Sequence, residues 1–336
     1  MESLEFMSFW SQKKVFITGI TGLVGSSLAA KLISEGAIVT GLIIEKDMNS
    51  ELIRSGNIDR VTTVNGDLAD SRIISRVLNE GNFEIIFHLG AQTIVGTALA
   101  DPINTFETNI KGTWNILEAS RLFGKSLKSL VVASSDKAYG SSIKLPYTED
   151  FPLMGEGPYD VSKSCTDLLA QSYGKTYNLP ISIARCGNIY GPGDLNWSRI
   201  VPGTIKSLLN NQQPVLRSNG DYIRDYIYIS DVVNSYLRLA EMQKTFENGS
   251  AFNFSTDVPV SVQEIYTEIC MAFAGKYIEP RIENSATNEI KAQNLSSEKA
   301  RQMLGWKSEF TLSQGIDLTF QWYRTLLKKD CSPDVK

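Results

Sequence analysis

Short apolar runs recur through the first half of the chain, separated by segments whose apolar positions fall every three or four residues. That alternation predicts strands joined by amphipathic helices. Strands are expected at Lys14 to Thr18, Ile38 to Ile44, Val61 to Asn65, Ile85 to Leu89, Leu130 to Ser134 and Ile181 to Arg185. Helices are expected near Leu23 to Glu35, Ser71 to Leu78, Asn104 to Leu122 and Val161 to Tyr177. Strands apolar on both faces belong in the middle of a parallel sheet covered on each side, so the class is α/β with a doubly wound parallel sheet. After about Asn188 the pattern is interrupted by Gly191, Pro192, Gly193, Pro202, Gly203 and Pro214, and Tyr222, Tyr226 and Tyr228 cluster. A smaller, mixed, loop-rich lobe is expected there.

Composition narrows the picture further. With 336 residues, 42% hydrophobic and 21% charged, the chain can bury a sizeable core in one large or two modest domains, which excludes disorder and collagen-like repeats. A formal charge of −4 offers no general basic footprint, so neither nucleic acid nor an anionic membrane is expected as partner. Cys165, Cys186, Cys270 and Cys331 are scattered without a CxxC pair, so no metal site is expected and a reducing compartment fits. The single histidine, His88, excludes any mechanism that needs two imidazoles. Val15 to Ala30 carries no charge, but it is rich in Gly, Ser and Thr and too short to span a bilayer. The opening MESLEFMSFW holds acids in place of a basic leader, so a cytoplasmic protein is expected, with a ten-residue extension of unread role and a frayed CSPDVK tail.

Candidate chemistry begins at the first strand. VFIT runs into TGITGLVG, which places Gly19, Gly22 and Gly25 at a strand-to-helix turn. Glycines there let backbone N–H groups approach a pyrophosphate and leave a helix N-terminus facing it; the alternative is a plain tight turn. Glu45, at the end of the second strand, suits a ribose 2′-hydroxyl and favours NAD over NADP, although Lys46 lies beside it and Glu45 can equally be a solvated loop charge. Asp67, after the third strand, is placed for an adenine contact or for capping the next helix. Tyr159 and Lys163 are one helical turn apart, so an ammonium there would lower the phenol pKa toward that of a general base. The preceding strand ends in Ser134, Ser135, Asp136 and Lys137, and ligands of open parallel sheets gather at such carboxyl ends.

Taken in order, TGITGLVG (18–25), GDL (66–68), FHLGAQ (87–92), TNIKGTWN (108–115), SSDKAYG (134–140), PYDVSK (158–163), RCGNIYGPG (185–193) and RDYIYISDVV (224–233) cover nearly the whole chain. Together they resemble the extended short-chain dehydrogenase/reductases that act on nucleotide sugars. The resemblance implies a Rossmann-type NAD-binding domain in residues 1–188 and about 225–256, with a nucleotide-sugar lobe in 189–224 and 257–330. It implies cofactor contacts from Gly19, Thr21, Gly22, Leu23, Val24, Gly25, Glu45, Asp67, Leu68, Leu89, Ala91, Gln92, Asn109, Tyr159 and Lys163. Tyr159 is then the base, Lys163 its partner, and Ser135 the hydroxyl shared with the sugar 4-OH. Asn188, Arg199, Arg217 and Arg224 would hold the substrate, Asn188 and Arg224 at its diphosphate, and a homodimer is expected. His88, in a strand-end loop, is read as structural.

Within that family Asp136-Lys137 resembles the CDP-glucose 4,6-dehydratases, as do Phe9-Trp10 and LSSEKARQMLGW (295–306), which points to an NAD-dependent nucleotide-sugar 4,6-dehydratase. In such chemistry the oxidised C4 acidifies the C5 proton; Asp136 donates to the leaving C6 hydroxyl and Lys137 takes the C5 proton. AYG after the dyad and RDYIYISDVV are closer to dTDP-glucose and GDP-mannose dehydratases and to epimerases, so the nucleobase stays open. The remaining readings are a C4 epimerase, a dehydratase that stops at a 5,6-ene, an oxidoreductase that releases NADH, and a non-catalytic NAD(P)-binding regulator.

Overall fold

In the computed structural model, which describes residues 8–142, 144–285 and 290–329, seven strands form one parallel sheet. They are β1 (Lys14–Thr18), β2 (Ile38–Ile43), β3 (Thr62–Asn65), β4 (Ile85–His88), β5 (Ser129–Ala133), β6 (Ile181–Cys186) and β7 (Ser250–Phe254), in the order β7-β6-β5-β4-β1-β2-β3. Successive side chains go to opposite faces. Val15, Ile17, Ile85, Phe87 and Val131 join one core layer, and Phe16, Ile86, Leu130 and Val132 join the other. Helix α1 (Leu23–Ser34) lies on the first face, and α2 (Ser71–Gly81), α3 (Gly112–Phe123) and α4 (Pro158–Tyr177) cover the second. The strand order reverses between β1 and β4, so the crevice for a ligand opens beyond the carboxyl ends of these two strands.

Beyond Asn188 the chain carries more helix than its breakers suggest: α5 (Ile200–Leu209), α6 (Ile229–Met242), α7 (Val262–Ala274), a short helix at Glu298–Leu304, and α8 (Leu312–Lys329). Pro202 sits in the first turn of α5, where its missing N–H removes a donor that would be unpaired anyway, so it starts a helix where the sequence pattern suggested a break. Of these helices, α6 packs with α1 on the sheet, whereas α5, α7 and α8 pack on one another beside it. Small strand pairs tie this region together: Tyr226–Tyr228 with Asn188–Tyr190, and Ile223–Arg224 with Val260–Ser261.

Two further departures come from local chemistry. The helix expected at Asn104 to Leu122 is interrupted by a π-helical turn at Glu107–Lys111. At the other end, Trp10 tucks the N-terminal extension against the sheet, with its ring near Phe87 and its indole N–H donating to Glu241 at 2.8 Å. Residues 1–7 and the CSPDVK tail lie outside the described residues, and among these no helix is long and apolar enough to cross a membrane.

Candidate active site

The turn after β1 is built from backbone contact. Gly19 has φ +69°, and a Cβ there would sit 2.8 Å from the Gly90 backbone. A Cβ on Gly25 would lie 2.1 Å from the Gly19 carbonyl oxygen. Glycine is thus imposed at both positions by space, and at Gly19 also by conformation. Gly22 caps α1 without any side-chain hydrogen bond, so the first amides around Leu23, Val24 and Gly25 face the crevice with no side-chain cap. Behind the turn, Ser50 Oγ donates to the Thr21 carbonyl at 2.8 Å, holding the loop from outside.

The remaining cofactor candidates surround this turn. Glu45 is exposed just past β2. Asp67 is exposed too and accepts the Ala69 N–H at 2.8 Å; the cap of α2 is Asp70, so Asp67 does not fill that role. Leu68 is buried with its side chain against Gly90, and its carbonyl accepts Asn115 Nδ2 at 2.8 Å. Leu89 and Gly90 donate their N–H groups to Thr18 Oγ1, and Ala91 follows in the same half-buried loop. Gln92 is gripped by Asn109, whose Oδ1 accepts the Gln92 N–H at 2.7 Å and whose Nδ2 donates to the Gln92 carbonyl at 2.9 Å and to Ser162 Oγ at 2.9 Å. Asn109 stands in the π-helical turn, and its carbonyl accepts both Thr113 and Thr166 hydroxyls, a local widening of the kind often found at functional sites. The uncapped helix end and the glycine cradle fit a dinucleotide pyrophosphate.

His88, expected in a strand-end loop, is the last residue of β4 and is held as a structural bridge. It bridges Thr18 Oγ1 (2.8 Å) and Thr113 Oγ1 (3.0 Å), and burial, reinforced by the Lys163 charge, lowers its pKa to about 3. It is neutral at any physiological pH.

At the end of β5 the chain folds into a single 3₁₀ turn, Asp136–Tyr139, capped by Ser135, whose Oγ accepts the Lys137 N–H at 3.2 Å. The same hydroxyl donates to Asp136 Oδ1 at 2.9 Å. Asp136 is 3% exposed, and its other oxygen, Oδ2, is buried with no hydrogen-bond partner. An acceptor left in that state is a place for a ligand hydroxyl. Tyr159 stands over this turn from the first turn of α4, helped there by Pro158 at the helix start.

Here the electrostatics differ from the sequence expectation. Lys163 is buried and donates to the Ala133 carbonyl at 2.9 Å, and burial lowers its pKa to about 8. The Tyr159 phenol is pushed up to about 12, by burial first and then by the Asp136 charge, with Ser135 and Arg199 acting the other way. In the chain alone the ammonium is spent on a backbone carbonyl, and it does not make the phenol acidic.

The four substrate candidates are spread around the lobe side. Arg199 pairs with Asp194 at 3.1 Å and its charge reaches Tyr159. Arg217 donates to the Ser198 carbonyl next to Arg199 at 3.1 Å. Arg224 is buried, donates to the Ile223 carbonyl at 2.8 Å and lies over the Tyr222 ring. Asn188 donates to the Asp225 carbonyl at 3.2 Å, while Asp225 and Asp231 accept backbone N–H groups of Leu295 and Glu309. Sequence reasoning missed Gln293, which accepts a hydrogen bond from Lys137 Nζ. It lies in a segment without periodicity or motif, so no sequence signal marked it.

Residues 16–319 match the profile of the family described as GDP-mannose 4,6 dehydratase. A UDP-glucose 4-epimerase of Mycolicibacterium smegmatis is 29% identical over 314 residues, covering 93% of this chain and 98% of that protein. A CDP-glucose 4,6-dehydratase of Salmonella typhimurium is 28% identical, covering 96% of this chain and 93% of that protein. Among solved structures, a dTDP-glucose 4,6-dehydratase of Bacillus anthracis in complex with NAD superposes with a TM-score of 0.82 at 23% identity, covering 93% of this chain and 97% of that one.

Proposed function

The chain belongs to the GDP-mannose 4,6 dehydratase family, and from that premise we propose that it is an NAD-dependent nucleotide-sugar 4,6-dehydratase, converting an NDP-hexose to its 4-keto-6-deoxy product. The supporting observation is Asp136: a buried carboxyl group at the end of a sheet strand, bonded to Ser135 through one oxygen and unpartnered at the other, next to Lys137 and below Tyr159. A simple epimerase has no use for a second acid at that place, because it needs a proton moved only at the 4-hydroxyl.

Gly19, Gly22 and Gly25 with the uncapped start of α1 would hold the pyrophosphate of NAD, and Glu45, Asp67, Asn109 and Lys163 would line its nucleoside ends. When bound, NAD⁺ supplies the hydride acceptor and a positive charge that favours the phenolate. Tyr159 then takes the proton of the sugar 4-hydroxyl, with Ser135 sharing that hydroxyl. Asp136 gives its proton to the departing C6 oxygen while the C5 proton passes to Lys137, so the C6–O bond breaks, a 5,6-double bond forms and one water is lost. Lys137 returns its proton to C5 as C6 is reduced, and the proton gained by Tyr159 restores Asp136, which leaves the chain unchanged over one cycle. Arg224 and Asn188 are the candidates for the diphosphate, with Arg199 and Arg217 at the edge of the same lobe. Exposed Trp114 and Leu122 on α3 and Leu168 on α4 offer an apolar surface for a second copy, which light scattering would register as a homodimer.

Incubation with UDP-, dTDP- and CDP-glucose and GDP-mannose, read by mass spectrometry, tests the reading. A product lighter by one water supports dehydration; an epimer of unchanged mass favours the second reading, which the Mycolicibacterium smegmatis relative keeps in view. Asp136→Asn is expected to retain substrate binding and lose water elimination by about a hundredfold or more. Unaltered turnover in that variant removes Asp136 from the chemistry.

A further inference from the structure

Residues 291–295 run as a strap between the lobe and the dyad. On one side the Ile223 N–H donates to the Lys291 carbonyl at 2.9 Å and the Gln293 N–H to the Ile223 carbonyl at 3.1 Å. On the other side the Tyr147 N–H donates to the Asn294 carbonyl at 2.9 Å. Held from both edges, the strap delivers one fully buried side chain, Gln293, to the turn at Asp136–Tyr139. Its Oε1 accepts from Lys137 Nζ, and its Nε2 donates to the Asp136 carbonyl at 3.3 Å and, at the limit of hydrogen bonding, to the Gly140 carbonyl at 3.5 Å. Every contact pairs a donor with an acceptor in this orientation of the amide, and the reverse orientation would set its oxygen against two carbonyls.

We propose that Gln293 is the positioning residue for Lys137 in the elimination of water: its amide fixes the Lys137 nitrogen and the backbone of the dyad turn in one register. The proposal rests on the dehydratase reading above. A neutral acceptor suits this task, because it orients the nitrogen without the charge pairing that a carboxylate in its place would add. The strap also ties the dyad to Ile223–Arg224, so the strand that carries a diphosphate candidate and the acid-base pair share one framework.

The test separates two steps of one turnover in the purified protein with bound NAD and the nucleotide hexose that the wild type dehydrates. Oxidation at C4 is followed by the near-ultraviolet absorbance of the reduced nicotinamide, and elimination by loss of water in quenched samples. Gln293→Met, close in volume and unable to hold Lys137, is expected to slow water loss about tenfold or more while C4 oxidation keeps its rate, so the reduced nicotinamide accumulates. Gln293→Glu keeps an oxygen on Lys137 and is expected to recover part of that loss. Lys137→Met should give the same partition as Gln293→Met, and the double variant should be no slower than Lys137→Met alone, since one residue acts through the other. Equal slowing of both steps, unchanged water loss in Gln293→Met, or additive effects in the double variant would overturn the positioning role. A wild-type protein that removes water from no nucleotide hexose overturns the dehydratase reading itself, and the proposal with it. If Gln293→Met melts early, Gln293→Glu, isosteric with the native side chain, carries the comparison: its slowing is expected in water loss alone, and equal slowing of C4 oxidation would overturn the positioning role.

Discussion

Replacing Lys163 by methionine should make the protein more stable while removing its function. The ammonium is buried against the end of β5, and burial brings its pKa from the ordinary 10.5 to about 8. A displacement of that size corresponds to about 3 kcal/mol by which the folded state disfavours the charged side chain. Loss of the charged hydrogen bond to the Ala133 carbonyl takes back about 2 kcal/mol, so Lys163→Met should gain about 1 kcal/mol at neutral pH. The pH dependence has a fixed sign. Below about 8 both folded and unfolded chains carry the proton and the folded wild type bears the whole cost. Between about 8 and 10.5 the unfolded chain binds more protons, so wild-type stability rises relative to the variant by about 1.4 kcal/mol per pH unit. Equilibrium urea denaturation of dinucleotide-free protein at several pH values from neutral upward measures the difference, in which groups common to both proteins cancel. A wild type at least as stable as the variant at neutral pH, or a gap that stays constant as pH rises beyond 8, would refute the reasoning.

Gly25→Ala places a methyl 2.1 Å from the Gly19 carbonyl oxygen and 2.7 Å from Ile20 Cα, so calorimetry with NAD should show binding lost, and melting should show a less stable fold. Asp167 holds Arg185 by two bonds of 2.8 Å with both side chains buried; Asp167→Ala leaves the guanidinium uncompensated and should cost about 3 to 5 kcal/mol in urea denaturation. His88→Gln should leave the pH profile of turnover unaltered, because the imidazole that bridges Thr18 and Thr113 is neutral throughout the working range; a missing limb in the variant's profile would place a proton on His88 after all.

The parallel sheet was legible because β1, β2, β4, β5 and β6 are short apolar runs bounded by turn residues, and such runs have few other ways to hide both faces; β3, the polar edge strand TTVN, is the exception. Gly19 and Gly25 were legible for a related reason: only glycine fits where a turn, a helix start and the Gly90 loop touch through their backbones. The helices of the lobe were less so. Pro202 and Gly203 read as breakers, yet in the first turn of α5 a proline costs no hydrogen bond, and position within the helix decided what residue type alone could not. The π-helical turn was hidden in the same way, since the periodicity of Asn104 to Leu122 survives one extra residue while the Asn109 carbonyl moves to two threonine hydroxyls.

The candidate site shows where sequence spacing stops carrying electrostatics. Spacing put Tyr159 and Lys163 on one face of α4, and the helix does so. It could not say that the ammonium would turn to the Ala133 carbonyl, nor that burial first and Asp136 second would raise Tyr159 to about 12. The same burial acts on both groups in opposite directions, up for the phenol and down for the lysine, because each loses its charged form on leaving water. On the proposed mechanism, a cleft that holds an acid and a base both neutral-leaning draws on the positive charge of NAD⁺ to release the phenolic proton, which ties proton transfer at the 4-hydroxyl to occupancy of the glycine-lined crevice. Tyrosine ionisation followed by ultraviolet difference spectra should therefore begin at lower pH in the presence of NAD⁺ than without it, and superimposable titrations would break that link.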